Sequence, residues 1–132
     1  MQSGLYIVGT PIGNLSDMSP RAVDVLQNVD LIAAEDTRVF GKLASHFNIK
    51  TPRVSCHEHN ERDVVPQLIE KLKLGLSVAA VSDAGMPGIS DPGFRLVRAA
   101  RAENIPVYVV PGPVAAISAL VLSGFPTDRF TF

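Results

Sequence analysis

Five short apolar runs recur roughly every 25 residues along this chain: "LYIV" (5–8), "LIAA" (31–34), "RVSC" (53–56), "SVAAV" (77–81) and "VYVV" (107–110). The segments between them carry helical patterning, and strands alternating with helices are the signature of βαβ units in a parallel sheet. Four of the runs are apolar on successive residues, as strands covered on both faces should be, whereas "RVSC" alternates and is expected at an edge. The expected fold is therefore α/β: a five-stranded parallel sheet with helices on both faces. A chain of 132 residues can bury one core but not two, so residues 1–132 are read as a single domain. No sequence repeat, linker or low-complexity tract interrupts it.

Capping signals agree with this division. Ser19-Pro20 and Asp91-Pro92 each place a capping side chain before a proline, whose missing N–H is harmless at the first helical position. The third helix is expected to start near Arg62 or Asp63, leaving Pro66 in its first turn, and to stop before Gly75. Gly112-Pro113 opens a fifth helix, "VAAISALVLS", apolar around most of its circumference and so needing cover on more than one side. The closing "GFPTDRFTF" reads either as an extended segment leading elsewhere or as a frayed tail or short edge strand.

A net charge of −1 gives no large field for holding nucleic acid unaided. Cys56 is the only cysteine, which excludes an internal disulfide or a cysteine-rich zinc site and suits a reducing cytoplasm. No run approaches the length of a membrane span, and no basic region precedes the first apolar run, so the chain reads as soluble and not exported.

In a parallel sheet all strand carboxyl ends share one edge, where ligands bind. The unusual segments fall there: "GTPIGN" (9–14), "EDTR" (35–38), "HEHN" (57–60), "SDAGMPGISDPG" (82–93) and "PGP" (111–113). "GTPIGN" is a poor dinucleotide loop, because Gly9 and Gly13 are four apart, Pro11 removes an N–H and no third glycine follows. In "EDTR", Asp36 can cap the next helix and Arg38 form a surface pair, or both can serve a ligand. His57 and His59 lack a third ligand at obvious spacing, so a metal is not expected. The stretch from Ser82 to Gly93 holds three Gly, two Pro, two Asp and two Ser, but no Cys, Lys or His. It offers backbone rather than a nucleophile, either as a cradle for a small polar molecule or as a compact loop.

Taken together, "LYIVGTPIGNLSDMSPRAVDVLQNVDLIAAEDTR", "HEHN", "SDAGMPGISDPG" and "VVPGPVAAISAL" resemble the N-terminal domain of the tetrapyrrole methylase superfamily, in its branch acting on small-subunit ribosomal RNA. The resemblance covers essentially the whole chain. It implies two α/β domains with S-adenosylmethionine in the cleft between them, and a first sheet in the order 3-2-4-1-5. It sets Thr10 and Pro11 beside the cofactor, Asp83, Ala84, Gly85 and Met86 with Ile89 and Ser90 around it, and Pro111, Gly112 and Pro113 at the rim. The porphyrinoid-methylating branch usually carries Gly-Asp-Pro where this chain has Gly85-Met86-Pro87, which favours the RNA branch, although Met86 replaces the more usual Thr.

The resemblance further implies transfer of a methyl group to a cytidine 2′-hydroxyl of 16S rRNA in the small ribosomal subunit, with no metal required. A missing C-terminal domain about as large again would complete the enzyme; a homodimer is compatible with the family, and the isolated chain is expected to be inactive. Glu35, Asp36 and His57 are the local candidates for proton removal, and Arg38 and His59 for substrate contact. Arg95, Arg98 and Arg101 recur every three residues, as a solvated helix face or an RNA contact. Two other readings stay open: a porphyrinoid methyltransferase, and a non-catalytic small-ligand or RNA-binding module. The absence of Trp and scarcity of aromatics count against an independent RNA module.

Overall fold

In a computed structural model, described for residues 1–89 and 93–131, all five expected strands form. They are β1 (Gly4–Val8), β2 (Leu31–Ala34), β3 (Arg53–Ser55), β4 (Ser77–Val81) and β5 (Val107–Val110). The sheet is parallel throughout in the order β3-β2-β4-β1-β5. The helices are α1 (Pro20–Asn28), α2 (Thr37–His46), α3 (Glu61–Lys73), α4 (Gly93–Ala102) and α5 (Ala115–Ser123), with a 3-10 turn at Leu15–Asp17.

Successive strand residues point to opposite faces, and each face has its own helices. Tyr6 and Val8 of β1 pack with Ala22, Val25 and Leu26 of α1 and Phe40 and Ala44 of α2. Leu5 and Ile7 pack with Leu68, Ile69 and Leu72 of α3 and Leu96 and Ala100 of α4. Central β4 and β1 are buried along their whole length, which is why they read as unbroken apolar runs. The alternating β3 is an edge strand, as expected. The uniformly apolar β5 is the opposite edge, and Val109 is half exposed, so the expectation of cover on both its faces does not hold.

The first helix starts as read, with Pro20 at its first turn and Ser19 Oγ accepting from the Ala22 N–H at 3.0 Å. The third starts one residue earlier than expected, at Glu61, which moves Pro66 from the first turn into the second. Pro66 has no N–H for the Arg62 carbonyl, but both residues are exposed and water can replace that bond. The expected start of the fourth helix at Asp91-Pro92 lies outside the described residues. Helix α5 ends at Gly124 in a left-handed cap (φ 75°) and buries none of its residues, so the cover its composition calls for is not supplied by the described residues. Beyond it, residues 124–131 form turns and bends with no strand.

Candidate functional site

The two glycine-rich loops after β1 and β4 meet at the carboxyl edge of the sheet. Thr10 and Gly85 form an isolated antiparallel bridge, each N–H donating to the other's carbonyl at 3.0 Å. Gly85 sits at φ +80°, and a Cβ built on it would press on the Pro113 carbonyl at 3.2 Å and on Ile12 at 3.3 Å. Gly88 is also left-handed (φ +84°), and a Cβ on Gly93 would lie 2.6 Å from the Gly88 nitrogen, so these two glycines approach too closely for a side chain at Gly93. On the other side of β1, the Gly9 N–H donates to the Val110 carbonyl at 3.0 Å, bringing the "PGP" segment alongside.

Two cavities lie beside this bridge, one lined by Gly85 and the other by Thr10. One, of about 300 Å³, lies toward α5 and is lined by Ile12, Gly85, Met86, Ile89, Val114 and Ala115 among others. The second, of about 250 Å³, lies toward α2 and is lined by Thr10, Asn14, Leu15, Val39, Lys42 and Asp83 among others. Ser82 borders both. Its hydroxyl donates to the Ala84 carbonyl at 3.0 Å.

The expected cofactor residues Thr10, Pro11, Asp83 to Met86, Ile89 and Pro111 to Pro113 are thus gathered at one edge; Ser90 lies outside the described residues. They do not all face one space. Ala84, Gly85, Met86 and Ile89 line the α5-side cavity, whereas Thr10, Pro11 and Asp83 line the α2-side one. The loop changes sides between Asp83 and Ala84.

The candidate acid–base residues are held in different ways. Glu35, at the end of β2, accepts from the Asp83 N–H through Oε1 at 3.2 Å and so pins the start of the β4 loop. Asp36 caps α2 by accepting from the Arg38 N–H at 2.9 Å, and also pairs with the Arg38 guanidinium at 3.1 Å. The side-chain bond from Arg38, then its backbone bond, holds the Asp36 carboxyl below its ordinary range, the wrong direction for a proton acceptor. Arg38, offered for substrate, is committed to the same pair.

His57 and His59 follow edge strand β3, two strand spacings or about 10 Å from β4. The His59 N–H donates to His57 Nδ1 at 3.2 Å. Asn60 closes the segment, accepting from the His57 N–H at 2.7 Å and donating to the Ser55 carbonyl at 3.0 Å. No group of three His, Cys, Asp or Glu side chains that could hold a metal occurs among the described residues. Cys56 is buried, and that burial, with Glu61 nearby, pushes its thiol up to about 11. Glu61 is itself buried, its Oε1 3.3 Å from Arg95 Nε, so Arg95 ties α4 to α3. Among the described residues the Thr10 hydroxyl and Glu61 Oε2 are buried with no hydrogen-bond partner.

The residues missed in the sequence are Ile12, Val114, Ala115 and Ala116 on one cavity and Asn14, Leu15, Val39 and Lys42 on the other. The available signal was spacing: Val39 and Lys42 are three apart on one helix and so share a face.

The profile of the tetrapyrrole (corrin/porphyrin) methylases matches residues 4–131. A protein of Synechocystis described as ribosomal RNA small subunit methyltransferase I is 59% identical over 97% of this chain and 46% of its own length. Proteins of the same description from Vibrio cholerae and Escherichia coli O157:H7 are 56% and 53% identical, over 97% and 99% of the chain and 44% and 46% of their own length. The chain therefore spans about half the length of these relatives. Among solved structures, uroporphyrin-III-C-methyltransferase of Thermus thermophilus superposes with a TM-score of 0.69 at 26% identity, over 95% of this chain and 53% of that one. Diphthine synthase superposes with a TM-score of 0.73 at 16% identity, over 96% and 51%, a likeness of fold. With almost the whole chain matched by one profile and the expected strand order in place, the chain belongs to the tetrapyrrole (corrin/porphyrin) methylase family.

Proposed function

We propose that this chain is the cofactor-holding half of an enzyme that methylates a cytidine 2′-hydroxyl in 16S rRNA, with S-adenosylmethionine as donor. The observation that carries the reading is the Thr10–Gly85 bridge, which fixes a glycine-built loop against an apolar cavity at the ligand-binding edge. The residues fit the cofactor: Ile12, Met86 and Ile89 offer apolar walls, and Gly85 lets backbone approach where a side chain would intrude. The description shared by relatives at 53 to 59% identity favours RNA as substrate over a porphyrinoid. So does Met86 in place of the Asp expected in the porphyrinoid branch.

Bound S-adenosylmethionine supplies a methyl group already activated on sulfonium, so the chemistry calls for no metal. The task left to this chain is alignment and handling of the hydroxyl proton. Glu35 holds the Asp83 backbone, and with it the loop bordering both cavities. With Asp36 held by Arg38 and His57 at the far edge, Glu35 and Asp83 are the carboxylates best placed to receive a proton. A second domain would close the cleft, and the enzyme would work in the cytoplasm on small subunits, as a monomer or homodimer. This chain alone is expected not to turn over, since losing even part of the ~7–11 kcal/mol available from positioning removes measurable rate.

The test is to incubate the full-length gene product with small subunits lacking the modification and with labelled S-adenosylmethionine, then map label in the RNA. Label on a cytidine ribose supports the reading. Transfer to a porphyrinoid but not to RNA would replace it with the runner-up, and tight RNA binding without any transfer would favour the non-catalytic module.

A further inference from the structure

We infer that the α2-side cavity is a separate site for one nucleotide of the RNA strand, with Lys42 at its mouth as the phosphate contact; the inference rests on the RNA-methyltransferase reading. Three observations converge. The first is the cavity itself, about 250 Å³, which shares only Ser82 with the apolar cavity assigned to the cofactor.

The second is the Thr10 side chain, 2% exposed, whose hydroxyl has no partner among the described residues although Thr10 lines this space. A rotation of the Thr10 side chain would present this unsatisfied hydroxyl to a ligand hydroxyl or base edge. The third is the distribution of chemistry around the wall. Leu15 and Val39 are large apolar residues 42% and 40% exposed, a surface suited to the flat face of a base. Asn14 and Asp83 add polar side chains to the lining, and Lys42 is an exposed cation that forms no ion pair among the described residues.

Arg38, one turn before Lys42, shares its charge with Asp36, which leaves Lys42 as the unpaired cation among the described residues on this wall. An apolar floor, hydroxyl-binding groups and a single cation describe a nucleoside monophosphate unit within a strand. Ser82, common to both cavities, is where the two ligands would come nearest.

The full-length gene product is the material for the test, with Val39→Trp to fill the cavity from an exposed position and Lys42→Ala to remove the charge. A short single-stranded RNA containing cytidine is titrated by fluorescence across a salt series, S-adenosylmethionine is titrated by calorimetry, and KM for methyl transfer to unmodified subunits is measured. Val39→Trp is expected to weaken the RNA about tenfold or more, and Lys42→Ala to flatten the log–log salt slope by about 0.7, the value of one lost phosphate contact on a single strand. Cofactor affinity should stay within about twofold of the unaltered protein, as a separate site requires. RNA affinity and salt slope unchanged in both variants would overturn the proposal, and so would a parallel loss of cofactor affinity. If the unaltered protein binds the oligonucleotide but methylates no ribosomal RNA, the functional reading fails while the binding arm still decides this site; if it binds no oligonucleotide, the site proposal fails too.

Discussion

Gly9 and Gly112 touch through their backbones: a Cβ built on Gly9 would lie 2.5 Å from the Gly112 Cα, and one on Gly112 would lie 2.7 Å from the Gly9 Cα. These contacts are main chain to main chain at the ends of adjacent strands β1 and β5, and although Met86 Sδ, 2.7 Å from the Gly9 Cβ position, could turn away, they cannot be relieved by rotating a side chain. Gly9→Ala or Gly112→Ala is expected to lower stability by about 1–3 kcal/mol, as other overpacked sites do. Urea denaturation measures this directly, and an unchanged midpoint would mean that the strand ends can separate without loss.

Gly41 is the opposite case. It lies inside α2 with ordinary helical geometry, and nothing stands within 4 Å of the position its Cβ would take. Gly41→Ala should therefore raise stability by up to about 1 kcal/mol, through helix propensity and a less flexible unfolded chain. The same denaturation series reads both substitutions, with opposite signs expected.

The starts of β2 and β4 are clamped by Asp30 and Ser77. Asp30 Oδ2 accepts from the Ser77 N–H at 2.8 Å and from its hydroxyl at 3.0 Å, while the Asp30 N–H donates to the Ser77 carbonyl at 3.0 Å. The backbone bond from Ser77, then the hydroxyl bond, lowers the Asp30 carboxyl below its usual value of 3.8. A depressed carboxyl adds stability that is full above the unfolded value and is lost as pH falls through the lower folded value. Asp30→Ala should thus be less stable than the parent at pH 7, and the gap should narrow below about pH 4, measured as the difference in urea midpoint.

The Cys56 thiol combines burial with an upward shift to about 11. Since the thiolate is the reactive form, the folded protein should resist a disulfide reagent at pH 8 and react quickly in denaturant. Rapid labelling of the native protein would show that the pocket around Cys56 opens.

Gly85→Val in the full-length protein should weaken S-adenosylmethionine binding, because a side chain at φ +80° is strained and its Cβ points at Pro113 and Ile12 beside the cofactor cavity. Calorimetry on variants shown by circular dichroism to be folded is the check. Unchanged affinity would remove this loop from the cofactor site.

The strands were readable because burial on both faces makes "LYIV" and the "VAAV" after Ser77 apolar on successive residues, and because β3 alternates. The exposure of Val109 was not readable: it follows from β5 standing at an edge, which depends on strand order rather than on anything within "VYVV". The start of α3 escaped because Asn60 turns its side chain to the His57 N–H instead of capping the helix, a choice made in the loop. Composition alone marked the "SDAGMPG" loop as backbone chemistry. Its docking on the β1 loop depends on Thr10 meeting Gly85, a pairing between distant parts of the chain that no local pattern records.

The position of β4 between β1 and β2 also bears on how the chain is made. Gly4 pairs with Ser77 and Leu31 with Val78, and β1 and β2 never pair with each other. During translation β1 therefore emerges with no partner and must wait until residues 77–81 have left the exit tunnel, whereas β2 can pair first with β3. Pairings of such long range are slow to close, so "LYIV" remains a sticky, unpaired strand on the nascent chain until late in synthesis of this segment. That interval is when a holding chaperone would be most useful to this protein.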